Sequence, residues 1–172
     1  MIFSELAKTL PDYAKDIRLN ASSLLNEQLL TDQQKWGTLV ATAHACAYKP
    51  LIDAVEEEAA AKLTPEAMNA AKAAASIMAM NNIYYRFVHL ASRADYKTMP
   101  AKLRMNVIGS PGIDKADFEL FSLAVSAVNG CGMCIDAHDK VLAAAGVSPD
   151  KIQAAVRIAA VVHAVARTLQ AA

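Results

Sequence analysis

The chain has 172 residues, of which 55% are hydrophobic and 20% are charged. This length suits one domain with a sizeable core, and the composition excludes a disordered chain and a loop-rich disulfide scaffold. The 17 basic and 17 acidic residues cancel, so no broad electrostatic field is present to hold nucleic acid or anionic lipid.

Helical spacing of apolar residues begins at the N-terminus and predicts one or two short helices over residues 2–19. Thr31 and Gln34 then form a capping-box pattern, which predicts the start of a helix that runs through Ala43. We expect Lys49 and Pro50 to end this helix. A short helix over residues 51–62 follows, and we interpret its acidic face as solvated surface; this face consists of Glu56, Glu57 and Glu58.

Thr64, Pro65 and Glu66 form a strong helix start. The Thr64 hydroxyl can cap the helix, Pro65 suits the first turn, and the Glu66 carboxylate interacts favourably with the positive end of the helix dipole. The sequence predicts that this long helix reaches Leu90. A polar connector is expected over residues 91–101.

The last third of the chain predicts three more helices. Asp114 is positioned to cap a helix that carries Glu119, and Gly130 is expected to end it. Cys131 opens the next helix, which Gly146 should close in a left-handed conformation. The final helix is predicted to start at Ser148-Pro149-Asp150 and to reach about Leu169.

These elements predict an all-α fold, because few segments alternate with the period of a strand. The final helix start repeats the pattern at Thr64-Pro65-Glu66, and apolar positions that follow the two starts correspond. We therefore predict one helical domain over residues 1–172 with an internal duplication, its halves lying at about 31–90 and 114–170.

Two segments bear on localisation. Glu5 and Lys8 interrupt the apolar residues at the N-terminus, unlike a secretory signal. Arg157, His163 and Arg167 lie within the apolar segment 154–169, where charges are costly at a membrane centre. We expect a cytoplasmic protein without a spanning helix.

The densest set of reactive side chains lies between Glu119 and His138. Cys131 and Cys134 are separated by two residues at a predicted helix start, so they are close enough to form a disulfide loop, and the helix dipole favours a thiolate there. His138 lies one turn beyond Cys134 and can exchange a proton with its sulfur directly or through water. Glu119 can orient His138 if the two helices fold back as a hairpin.

This pattern leaves other interpretations open. The cysteine pair with His138 could be part of a zinc site, although a closed site needs four ligands. A thioredoxin fold also presents this cysteine spacing, but it requires strands that the sequence does not predict.

The remaining candidate side chains have structural interpretations. An unpaired Cys46 and its neighbour His44 are predicted to pack in the first half, since a lone cysteine commonly behaves as a small buried hydrophobe. His89 and His163 are predicted to be core histidines. We interpret Tyr84 and Tyr85 as packing residues and Arg86 as a surface charge.

At Glu119, Cys131-Gly132-Met133-Cys134 and His138, the chain resembles the AhpD family of alkyl hydroperoxide reductases, within the carboxymuconolactone decarboxylase-like superfamily. The resemblance extends over nearly the whole chain and includes the duplicated all-helical arrangement. It implies a cytoplasmic antioxidant enzyme that reduces alkyl hydroperoxides, without a tightly bound cofactor or metal.

The resemblance also implies partners and residue roles. The expected partners are a peroxiredoxin, AhpC, which receives electrons, and protein-bound dihydrolipoyl groups, which supply them by reducing the disulfide; relatives also form homo-oligomers. Cys134 is expected to be the sulfur oxidised by peroxide, Cys131 the more accessible resolving thiol, and Glu119 with His138 the proton relay. Some family members have a histidine where this chain has Met133, so a relay through that imidazole is absent here.

Two alternative functions are carried forward. A lactone decarboxylase on the related scaffold would use acid and base groups without needing paired thiols. A non-enzymatic disulfide carrier would exchange disulfides with a partner and consume no peroxide.

Overall fold

The chain folds into nine α-helices, and this computed structural model, which describes residues 1–172, contains no strand. The predicted all-α class is confirmed. Three 3-10 turns, at Ala7–Thr9, Asp12–Ala14 and Ala94–Lys97, supplement the helices. In chain order the helices are α1 (Phe3–Leu6), α2 (Lys15–Leu25), α3 (Asp32–Cys46), α4 (Lys49–Ala59), α5 (Pro65–Leu90), α6 (Asn106–Gly109), α7 (Lys115–Asn129), α8 (Gly132–Ala144) and α9 (Pro149–Ala171).

The strongest predicted helix starts are confirmed by their hydrogen bonds. Thr31 and Gln34 form both halves of the capping box, each side chain accepting from the other residue's backbone N–H at 3.1 Å. The Thr64 hydroxyl accepts from the N–H of Ala67 at 3.2 Å, and α5 runs to Leu90 as predicted. Asp114 caps α7 by accepting from two backbone N–H groups.

Other helix boundaries differ from the prediction. Helix α3 ends at Cys46, followed by Ala47 in the left-handed conformation, and Lys49-Pro50 begins α4 instead of ending α3. Proline is favourable there because the first turn of a helix leaves its N–H groups without helical partners. In the N-terminal region the second α-helix starts only at Lys15 and extends to Leu25.

Helices α3 and α7 form the centre of the domain. Nine consecutive residues of α3, Lys35 to Ala43, and ten of α7, Asp117 to Ser126, are buried. Helices α5 and α9 pack against both. The two central helices approach closely at Gly37, where an added Cβ would overlap the ring of Phe121. This packing fixes α7, the helix that carries Glu119.

The acidic face of α4 was predicted to be solvated; this is confirmed for exposed Glu57 and wrong for Glu56 and Glu58, which are half-buried. Glu56 lies between His44 of α3 and Lys72 of α5, at 2.6 Å and 2.8 Å. Glu57 pairs with the amino group of Met1 at 3.0 Å, and Glu58 accepts from the N–H of Ser4 at 2.9 Å. The three carboxylates connect α4 to neighbouring parts of the chain.

Helix α9 is long and apolar enough to cross a membrane by length and composition alone. The core helix of a water-soluble protein passes the same test, and here Ala155, Ile158 and Val162 are fully buried against the rest of the domain. Packing therefore accounts for the apolar residues of α9.

Each of the two predicted halves contains three helices, and in both halves the second helix is the shortest and the third the longest. In residues 31–90 the lengths are 15, 11 and 26 residues, and in residues 114–170 the corresponding helices have 15, 13 and 23. The duplication itself stays a prediction.

Candidate active site

The Cys-x-x-Cys segment begins α8, immediately after a turn that ends α7. Gly130 adopts a left-handed conformation, with φ at 68°, which costs glycine little because it has no Cβ. Cys131 is the N-cap of α8, and its sulfur accepts a hydrogen bond from the N–H of Cys134 at 3.3 Å. The two cysteines form a disulfide, with their Cα atoms 5.3 Å apart. The predicted pairing and the predicted helix break are therefore both present.

The two sulfur-bearing residues differ in their surroundings. Cys131 is completely buried, whereas Cys134 is 6% exposed and lines a cavity. The expectation that Cys131 is the more accessible thiol is wrong for this disulfide form. Cys131 is the N-cap of α8 and does not line the cavity, whereas Cys134 lies on the helix face that borders it.

The hairpin of α7 and α8 brings Glu119 and His138 together. An oxygen of Glu119 lies 2.6 Å from Nδ1 of His138, and both residues are buried. A carboxylate in this position fixes the orientation of the imidazole. The predicted contact is present; the roles of the two residues in a reaction are treated below as a proposal.

The other ring nitrogen of His138 contacts a residue that the sequence analysis did not single out. Nε2 lies 3.3 Å from the thioether sulfur of Met78 on α5, and neither ring nitrogen contacts a cysteine sulfur. A thioether only accepts hydrogen bonds, so this contact is a hydrogen bond when Nε2 carries a proton. The geometry thus suits a proton held at the cavity side of the ring.

A chain of amide hydrogen bonds ties the turn before Cys131 to α5. Asn82 donates to the hydroxyl of Ser126 at 2.9 Å and accepts from the side chain of Asn129 at 3.0 Å. Arg86 donates to the backbone carbonyl of Asn129 at 2.5 Å. Arg86 was interpreted as a surface charge; it is half-buried and also makes this contact, which the sequence did not predict. Asparagine side chains are unusual in a helix as apolar as α5, and Asn82 was the sequence signal that could have revealed this connection between α5 and the turn.

The cavity beside Cys134 has a volume of about 260 Å³ and lies between α5, α6 and α8. Its lining is mostly apolar, and it opens to the surface beside the exposed residues Met133 and Ala137. Such a cavity suits a small, uncharged molecule with an apolar part. The lining residues are Met78, Asn81, Tyr85, Met105, Ile108, Met133, Cys134, Ala137 and His138.

The remaining candidates lie elsewhere. Cys46 is a free, half-buried thiol near His163, and burial raises its pKa to about 11, in keeping with a packing role. The predictions of core histidines are wrong for His89 and His163, whose side chains are exposed at helix surfaces. His44 is half-buried and hydrogen-bonded to Glu56. No group of three or more potential ligands is arranged to hold a metal ion.

The fold and this site together define an all-helical protein with a Cys-x-x-Cys disulfide centre beside a buried histidine and carboxylate pair. Over 166 residues the chain is 66% identical to the alkyl hydroperoxide reductase AhpD of Rhizorhabdus wittichii, covering 96% of each protein. It is 60% identical to the protein of the same name from Methylocella silvestris, over 100% of this chain and 97% of the relative. Residues 94–172 also match the model of the carboxymuconolactone decarboxylase family.

The chain belongs to the AhpD family of alkyl hydroperoxide reductases. The family resemblance drawn from Glu119, the two cysteines and His138 is thereby confirmed.

Proposed function

We propose that this protein is a thiol peroxidase that reduces alkyl hydroperoxides through Cys134 and Cys131. The observation that carries the proposal is the placement of Cys134 at an apolar cavity that also contains the imidazole of His138. The names of the relatives support a peroxide as the substrate.

In the first step the Cys134 thiolate attacks the distal oxygen of the hydroperoxide. The O–O bond breaks, the sulfur is oxidised to a sulfenic acid and the alkoxide leaves. His138, oriented by Glu119, supplies a proton to the alkoxide so that it departs as the alcohol. Nε2 is the nitrogen that can do so, because Nδ1 is engaged with Glu119.

In the second step the Cys131 thiol attacks the sulfenic sulfur of Cys134 and releases water. The product is the disulfide that the structure contains. An external dithiol then exchanges with this disulfide, becoming a disulfide itself and restoring both thiols. In the proposal the dithiol is a protein-bound dihydrolipoyl group, and the reduced protein can also pass electrons to the peroxiredoxin AhpC.

The test replaces each cysteine in turn and follows the loss of an alkyl hydroperoxide with a dihydrolipoyl donor. Cys134→Ser should abolish turnover, because no other thiol lines the cavity. Cys131→Ser should allow one oxidation and leave a sulfenic acid on Cys134 that dimedone traps. Cys46→Ser is the matched control, and it should retain the activity of the unaltered protein.

The same variants separate the alternatives. The match to the carboxymuconolactone decarboxylase family and the buried acid and base pair favour a lactone decarboxylase as the second candidate. That activity would survive loss of both cysteines. A disulfide carrier would exchange disulfides with a partner while leaving the hydroperoxide unconsumed.

A further inference from the structure

Three thioethers share the small cavity with Cys134. The sequence contains 7 methionines, and Met78, Met105 and Met133 all line this space of about 260 Å³. The others, Met1, Met68, Met80 and Met99, do not line it. A thioether is itself a nucleophile toward peroxides, and its product is methionine sulfoxide.

The structure is that of the disulfide form, and the cavity is present in it. In this form Cys134 has no free thiolate with which to attack a peroxide. The thioethers are then the remaining sulfur nucleophiles in the space that a hydroperoxide enters.

We propose that Met105 and Met133 are oxidised to methionine sulfoxide by hydroperoxide bound in the cavity of the disulfide form. This inference rests on the proposed function only in that the cavity admits an alkyl hydroperoxide. The thioether sulfur attacks the distal peroxide oxygen and the O–O bond breaks. Sulfur gains one oxygen and is oxidised, and the hydroperoxide is reduced to its alcohol, the proton of the distal oxygen passing to the alkoxide.

The surroundings of the three thioethers set their order of reaction. Met78 is 1% exposed, and its sulfur already contacts Nε2 of His138 and the side-chain amide of Asn82. Met133 is 41% exposed and Met105 is half-buried. Met133 and Met105 are therefore the more exposed of the three.

A group that can assist the leaving alkoxide lies next to Met105. The hydroxyl of Tyr85 is 4.0 Å from the sulfur of Met105, and Tyr85 lines the same cavity. The hydroxyl donates to that sulfur in this structure, so it also lies within reach of an alkoxide formed beside Met105.

Sulfoxide formation would make the cavity more polar and thereby lower the activity of the enzyme. The modification converts a flexible apolar side chain into a polar one, which weakens binding of an apolar substrate. Exhaustion of the reductant leaves the protein in the disulfide form, so the loss of activity would begin under that condition. Methionine sulfoxide reductases reverse the modification.

The experiment exposes the full-length disulfide form to excess cumene hydroperoxide and measures each sulfoxide by peptide mapping. The chain supplies two matched pairs. Met105 and Met80 are both half-buried, and Met133 at 41% exposure compares with the more exposed Met99 at 58%. We expect Met105 to be oxidised about tenfold faster than Met80, and Met133 faster than Met99, because the cavity concentrates the hydroperoxide.

Equal rates within both pairs, or faster reaction of Met80 and Met99, would overturn the proposal. A second measurement uses the Met105→Leu and Met133→Leu double variant, with activity expressed relative to its own initial rate. After the same exposure and reduction it should retain a larger fraction of activity than the unaltered protein; an equal loss would count against the proposal.

The two proposals fail separately. Selective oxidation of Met105 and Met133 without any peroxide consumption by the reduced thiols would overturn the proposed function and leave this inference standing. Thiol turnover with unselective methionine oxidation would overturn only the inference.

Discussion

The imidazole of His138 is held at both nitrogens by groups of different character. The carboxyl group of Glu119 contacts Nδ1, and the thioether of Met78, a weak neutral acceptor, contacts Nε2. In the proposed relay a proton on Nε2 meets only this weak acceptor on the side of the cavity, where an alkoxide would need it. Removing the charge of Glu119 should affect this proton more than the position of the ring.

Glu119→Gln tests that consequence, because the amide keeps a hydrogen-bonding side chain of similar size but lacks the negative charge. We expect the rate of alkyl hydroperoxide reduction to fall by about a hundredfold, since general acid catalysis contributes roughly this much. Stopped-flow measurement of thiol oxidation across a pH series gives the rate.

Asp139→Asn is the control for this variant, since Asp139 follows His138 directly, is exposed and forms no ion pair. Its rate should match that of the unaltered protein. A Glu119→Gln variant that is folded and equally fast would remove Glu119 from the proposed relay.

At the scale of the helices, the position of Glu119 depends on how α7 packs against α3. The contact between Gly37 and Phe121 leaves no room for a larger residue on α3. Both residues lie within the buried stretches of their helices, where neighbouring side chains have little freedom to move. The absence of a side chain at Gly37 thus allows α3 and α7 to pack at this short separation.

Gly37→Ala should lower the free energy of unfolding by about 1 to 3 kcal/mol, because the added methyl group forces the Phe121 ring or a helix to shift. The gain in helix propensity offsets part of this cost. Urea unfolding followed by circular dichroism measures the change. Gly109→Ala is the matched control, since no atom lies within 4 Å of an added Cβ there; equal stability of the two variants would contradict the packing argument.

For the molecule as a whole, α4 connects elements that are distant in sequence. Glu56 joins α3 to α5 through His44 and Lys72, and the neighbouring carboxylates hold the N-terminal residues. Burial opposes ionisation of Glu56, but the hydrogen bonds from Lys72 and His44 outweigh it and keep its pKa below the ordinary value of 4.5. Ionised Glu56 therefore stabilises the folded state.

This pKa shift has a definite effect on stability. Because the pKa is lower in the folded state, the contribution is present above the unfolded value and is lost as the pH falls through the folded value. Glu56→Gln should therefore be less stable than the unaltered protein near neutral pH, with the difference shrinking below pH 4.5. Urea titrations across this range measure it, with Asp139→Asn as a control that should show no such change; a difference that grows toward acid pH would contradict the assignment.

Features determined by neighbouring residues were predictable from the sequence. The Thr31 capping box, the turn at Gly130 and the disulfide of Cys131 with Cys134 each depend on contacts within a few positions. The contact of Glu119 with His138 was also predictable, because one hairpin brings them together.

Features that join distant segments were not predictable. The contact between Met78 and His138 spans 60 positions, and methionine in an Ala-rich helix has no pattern that separates a cavity wall from ordinary core. The burial of Cys131 was missed for a related reason. The greater accessibility of Cys131 was expected from the family resemblance, but the packing of the whole domain decides which cysteine borders the cavity.

The complete burial of Cys131 bears on how the two half-reactions are ordered in time. In the proposed cycle the incoming dithiol attacks the bridge at Cys134, which lines the same cavity that the hydroperoxide enters. Oxidant and reductant then exclude one another from a single entrance. Kinetics should be of the ping-pong type, with each substrate inhibiting competitively when it is in large excess over the other.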